Sequence, residues 1–204
     1  MKMKKNVATA IISGALVGCL AIGGTFAYLT ANSGKVVNTF SASQGLGVLI
    51  SETTEDRDTY DINKTETGWM ASGTDGIEYT NVVPGAEIIK NVDVKVTENP
   101  TPSYLFIKIT TANDNYTIAA IDNQWKPVAG QTGVYVLSDE SGAMKVDSSE
   151  NDVVFDVFDQ INANADVTDA DALNGGNITV KAAVVQATGI TYDEAVAEAV
   201  AQLD

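Results

Sequence analysis

The chain has 204 residues, with 27 acidic against 12 basic side chains and a formal charge of −15. Such a balance argues against binding to nucleic-acid phosphates and docking on anionic lipid headgroups, because both repel it. There is no histidine and one cysteine, which removes the imidazole base, the Ser–His and Cys–His nucleophile pairs and the HExxH zinc site.

The first 27 residues read as a secretory signal: a basic start, MKMKK, then an apolar run that exits through the small residues Thr25-Phe26-Ala27. Cleavage between Ala27 and Tyr28 removes Lys2, Lys4 and Lys5, leaving 9 basic against 27 acidic side chains, a charge of −18. A lipobox, Leu16-Val17-Gly18-Cys19, competes with that cut and makes Cys19 a lipidation alternative. It is followed by more apolar sequence rather than the usual polar stretch. Uncleaved, the run would remain as an anchor. With Cys19 in the leader, the mature chain carries no disulfide despite an oxidising destination. The expected organisation is a signal peptide at 1–27, an N-terminal segment at 28–45, and one domain at 46–204.

Within the N-terminal segment, Tyr28 to Ser43 holds no proline and little charge. Period-two alternation sets Val36, Asn38 and Phe40 on one face and Val37 and Thr39 on the other. Further on, β-type runs recur with turn chemistry between them: Gly47–Ser51, Glu87–Thr97 after the Pro84-Gly85 turn, Tyr104–Thr111, Tyr116–Ile121, Val134–Leu137, Asp152–Phe158 and Ile178–Ala187. Pro100 and Pro102 read as a break. Tyr104–Thr111 begins apolar on both faces, the pattern of a central strand. Three polar stretches read as surface loops: Thr53–Asn81, with one short strand at Ile77–Thr80, then Ser138–Asn151 and Asn162–Asn177. At the end, Thr191 with Glu194 forms a T-x-x-E capping box. Tyr192, Ala195, Val196, Ala199, Val200 and Leu203 follow at helical spacing, which predicts an amphipathic helix over 191–203. The expected fold is all-β, an antiparallel jelly-roll-like sandwich with a C-terminal amphipathic helix and long polar loops.

Candidate sites are sparse, and no catalytic residues are assigned. Paired acids such as Glu55-Asp56 and Asp139-Glu140 sit in polar surroundings that give no reason for a raised pKa. Asp166, Asp169 and Asp171 are weak calcium candidates without EF-hand spacing, and no other cofactor is expected. Tyr60, Trp69 and Tyr79 in the first polar loop are candidates for a ligand surface, set against a small local cluster.

Three places carry a family resemblance. They are the junction AIGGTFAYLTANSGKVVNTFSASQG; Pro84-Gly85 with Ile89-Lys90-Asn91-Val92 and the strand Tyr104-Leu105-Phe106-Ile107-Lys108-Ile109; and Val180–Val185 closing in Gln186-Ala187-Thr188-Gly189. Together they resemble the TasA/camelysin family of secreted biofilm fibre proteins processed by a SipW-type signal peptidase. The resemblance implies a jelly-roll-like sandwich, release to the biofilm matrix or cell surface, and self-assembly into fibres, with an accessory or anchoring fibre protein as a further partner. In TasA-like fibres the mature N-terminal segment completes the sheet of the next subunit, which makes Val36, Val37, Asn38 and Phe40 donor-strand candidates here. The competing assignment makes this segment the first strand of its own domain. Functionally, a structural fibre subunit is expected ahead of a monomeric, adhesin-like binding module. A camelysin-like metallo-endopeptidase stands third, since a catalytic zinc wants mostly histidine ligands.

Overall fold

The computed structural model describes residues 39–42, 47–55, 57–64, 69 and 74–204. Its strands are β1 (Thr39–Ala42), β2 (Val48–Thr54), β3 (Asp61–Lys64), β4 (Thr74–Asp75), β5 (Glu78–Thr80), β6 (Glu87–Val96) and β7 (Asn99–Thr111). They continue with β8 (Tyr116–Ile118), β9 (Trp125–Pro127), β10 (Val134–Asp139), β11 (Gly142–Ala143), β12 (Lys145–Ser148), β13 (Val153–Ala163) and β14 (Ile178–Gln186), and one helix, α1 (Tyr192–Leu203), closes the fold. One sheet is ordered β11–β10–β7–β14–β1–β4, with β9 also on β10 and β12 also on β7; the second is ordered β2–β6–β13–β8. The fold is therefore the expected all-β sandwich with a single C-terminal helix. Its ladders are antiparallel except for β1, which runs parallel to β14.

Alternation builds the core between the sheets. In β6 the buried positions are Ile88, Lys90, Val92, Val94 and Val96, every second residue. They meet Leu105, Ile107, Val180, Ala182 and Val184 from the first sheet. Each large aliphatic side chain so buried contributes roughly 1.5–3 kcal/mol relative to exposure. Strand β7 is central, between β10 and β14, and its other face is buried too. There Tyr104 and Phe106, with Ala183 and Val185 of β14, pack under Ala195, Ala199 and Leu203 of α1. The double burial explains why the sequence of β7 is apolar on both faces.

The capping box forms as read: Thr191 accepts from the Glu194 backbone N–H, and the Glu194 carboxylate accepts from the Thr191 N–H. At the other end, Lys181 Nζ donates to the carbonyls of Leu203 (2.8 Å) and Asp204 (3.0 Å), and Lys108 pairs with the Asp204 carboxylate. Lys108 and Lys181 are register partners on adjacent strands. Their mutual repulsion is offset by the negative end of the helix dipole.

Four expectations need correction. Thr53–Asn81 is not merely a surface excursion: it carries β3, β4 and β5, and it sends Tyr60, Ile77 and Tyr79 into the core. Ser138–Asn151 holds the end of β10 and the strands β11 and β12, and Asn162–Asn177 holds a 3-10 turn at Ala170–Leu173 whose Leu173 is buried. Pro100 and Pro102 do not break the chain. Strand β7 runs through them because its ladder with β14 reaches only as far as Ser103, while that with β12 is irregular nearby, so no regular ladder bond is lost at either proline. Separately, β13 departs from strict alternation. The register slips between Asp156 and Phe158, turning both Val157 and Phe158 inward. The Pro84-Gly85 turn holds, with Gly85 at φ 78° and Ala86 N–H donating to Val83 O at 3.0 Å.

Candidate functional site

Two places stand out: a buried charge centre between the sheets, and the edge of the first sheet. The charge centre follows from strand phase. Lys90 lies in register with Val92, Val94 and Val96 on the inward face of β6, and Glu52 shares the inward face of β2 with Val48 and Ile50. Glu52 is the register partner of Val92, which leaves Lys90 on the adjacent diagonal. Both side chains are 0% exposed, and Lys90 Nζ pairs with Glu52 Oε1. Ile77 and Tyr79, from the segment between β2 and β6, close over them. Ile77 N–H donates to Glu52 Oε2 (3.1 Å), the Tyr79 hydroxyl reaches Oε1 (3.5 Å), and Lys90 Nζ sits 5.6 Å from the Tyr79 ring centre.

This cover is itself fixed. Tyr60 stands edge-on to Tyr79 at 5.5 Å, its hydroxyl donates to Glu55 O (2.6 Å) and accepts from Ile89 N–H (3.2 Å), and Thr54 Oγ1 donates to Ile89 O (2.5 Å). Burial pushes the Lys90 amine well below the ordinary lysine range and holds the Tyr79 phenol above its ordinary value. Desolvation on this scale makes a charged pair expensive and favours neutral forms.

A second group of carboxylates lies on β6 and β13. Asp156 and Asp93 are direct cross-strand partners, so like charges face each other. Desolvation, with Asp159, Asp93 and Asp122 nearby, pushes the Asp156 carboxyl up to about 6, and desolvation with Asp159 raises Asp93. The folded state therefore holds the Asp156 proton more tightly than the unfolded chain. Its stabilising contribution is complete below the unfolded value of 3.8 and is lost as pH rises through about 6. Exposed carboxylates act oppositely. Asp139 and Asp147, hydrogen-bonded to Ser141 and Ser149, and Asp152, bonded to Glu98 N–H and Lys95, are lowered, so their contribution is lost as pH falls below 3.8. The expected melting temperature is higher near pH 5 than near pH 7.5. Asp156→Asn should raise the value near pH 7.5 and flatten that slope; an unchanged slope in the variant would place its origin elsewhere.

The sequence candidates separate on the structure. Tyr60 and Tyr79 are 3% and 0% exposed. They belong to the cover of the charge centre and are out of reach of a surface ligand. Trp69 alone of the three is exposed, at 38%, with Lys95 Nζ 4.7 Å over its ring. Asp166 and Asp169 are exposed, and the side chain of Asp171 lies outside the described residues. The backbone near them is tied by amide donors: Asn113 Nδ2 to Ala172 O (2.9 Å) and Asn174 O (3.1 Å), and Asn115 Nδ2 to Ala172 O (2.9 Å). Among the described residues, no cluster of three metal-ligating side chains forms. Ala27, Tyr28, Cys19, Val36, Val37 and Asn38 lie outside the described residues, as does the side chain of Phe40. No described helix is long and apolar enough to cross a membrane.

The sheet edge is the second place. Strand β1 lies in a slot between two strands from distant parts of the chain. It is parallel to β14, with Phe40 opposite Val180, Ser41 opposite Lys181 and Ala42 opposite Ala182, and antiparallel to β4, with Thr39 opposite Asp75. A hairpin joins β1 to neither neighbour. From the slot the chain passes to β2, in the other sheet. Among the described residues, β14 pairs beyond Ala182 with β7 alone.

No family model, curated protein or solved structure matches this chain.

Proposed function

We propose that the chain is a secreted structural subunit whose copies join into extracellular fibres, each donating the segment ahead of β2 to the slot of a neighbour. The carrying observation is the position of β1 between β14 and β4, tied to the domain by neither hairpin. A strand so held is exchangeable: the same residues from another copy would make the same main-chain hydrogen bonds in the same register. The resemblance of the leader junction to TasA/camelysin proteins supports the same reading, with release by a SipW-type signal peptidase to the biofilm matrix or cell surface. An accessory or anchoring protein would start or tether the fibre. The function is mechanical, resting on contacts between copies rather than turnover. The binding-module reading loses support, because two of its three aromatics are core residues.

The mature chain's lack of cysteine permits a direct test. Ala42→Cys with Ala182→Cys places one thiol on each register partner. Oxidation of assembled material should give a ladder of covalent oligomers on a non-reducing gel. Monomers linked only within themselves would make β1 a strand of its own domain and end the donation proposal.

A further inference from the structure

The charge centre holds more chemistry than packing requires. A lysine ammonium carries three N–H donors. Among the described residues, the pair with Glu52 is the only polar contact of Lys90 Nζ, which otherwise makes no hydrogen bond. Two donors are thus left without acceptors in a fully buried site, an expensive arrangement. The charges are also costly to desolvate. One reaction between the two groups relieves both problems.

We propose that Lys90 and Glu52 condense into an intramolecular amide, an isopeptide bond that covalently ties β2 to β6. The Lys90 nitrogen attacks Cδ of Glu52, the C–N bond forms, and one carboxyl oxygen leaves. The two protons that carry this oxygen away as water both start on the ammonium, one passing to the carboxylate as the pair neutralises and the other leaving the nitrogen as the amide forms, so the products are one amide and one water, with no oxidant or co-reactant. The parts needed are in place. Burial lowers the amine below the ordinary lysine range and so supplies the neutral nucleophile. Ile77 N–H, on Oε2 at 3.1 Å, stabilises the oxygen on which charge develops. The Tyr79 hydroxyl, kept protonated by burial, reaches the leaving Oε1. After condensation one N–H remains in place of three, the Ile77 hydrogen bond is kept on the amide carbonyl, and no charge is buried. The link would also shorten the free chain of the unfolded state, closing the loop from residue 52 to residue 90. The proposal stands independently of fibre formation.

The test is intact-mass measurement of the mature chain, denatured before analysis, followed by proteolysis and sequencing of linked peptides by fragmentation. The expected result is a mass one water below that of the sequence, and a branched peptide joining the segments that contain Glu52 and Lys90. Lys90→Arg, which keeps a cation but cannot condense, should restore the full mass. Tyr79→Phe should slow the loss of water after refolding. A wild-type chain of full mass, with Lys90 open to an amine reagent once denatured, would overturn the proposal. So would loss of water mapped elsewhere, for instance to the Asp75-Gly76 step. Both of these readings come from the wild-type protein and do not depend on a variant folding.

Discussion

A mature chain lacking residues 28–42 is expected to remain a folded monomer and to form no filaments at any concentration. Among the residues whose side chains are described, the sandwich core is built by other strands. Its inward faces come from β2, β6, β7, β13 and β14, and α1 covers the outer side of β7 and β14. Removing β1 instead leaves unpaired N–H and C=O groups on β14 from Val180 to Ala182. An exposed edge of this kind is a template for strand addition. A synthetic peptide of residues 28–43 should bind the truncated protein and cap it without restoring growth, because the peptide carries no second domain. Sedimentation and light scattering report both outcomes. Polymerisation of the truncated chain would show that subunits join by some other surface.

The largest effect on stability is expected at the charge centre. Lys90→Met should destabilise the fold by about 3–5 kcal/mol, the usual result of removing one partner of a buried pair. That is a large part of the roughly 5–15 kcal/mol available to a domain. The reason is specific: Glu52 would stay buried with Ile77 N–H and the Tyr79 hydroxyl but lose the Lys90 cation. Adding Glu52→Leu should recover a substantial share of the loss, because it removes the buried carboxyl and keeps apolar volume. Midpoints of denaturant unfolding compare the three proteins. The direction is the same whether the wild-type pair is ionic or condensed, since the single variant leaves the buried carboxyl without the Lys90 nitrogen in both cases. A double variant no better than Lys90→Met would contradict this account.

The strand pattern was legible because alternation and turn chemistry are local. The two-sided burial of β7 and the capping box at Thr191 follow from spacing. The charge centre has a local signal in strand phase: Lys90 is in phase with Val92, Val94 and Val96, and Glu52 with Val48 and Ile50. The burial of Tyr60 and Tyr79 has no such local signal, because the segment around them is polar and only its few apolar residues pack inward. The raised Asp156 carboxyl was equally hidden, since it depends on Asp93 of another strand across a bulged register. Parallel pairing of β1 with β14 joins residues some 140 positions apart, a distance at which spacing in the sequence carries no information.

The most direct test of the fibre account is electron microscopy of the mature protein, purified from culture medium without denaturant. Regular filaments with a single subunit repeat are predicted. Uniform single particles across concentration, pH and calcium would contradict the account.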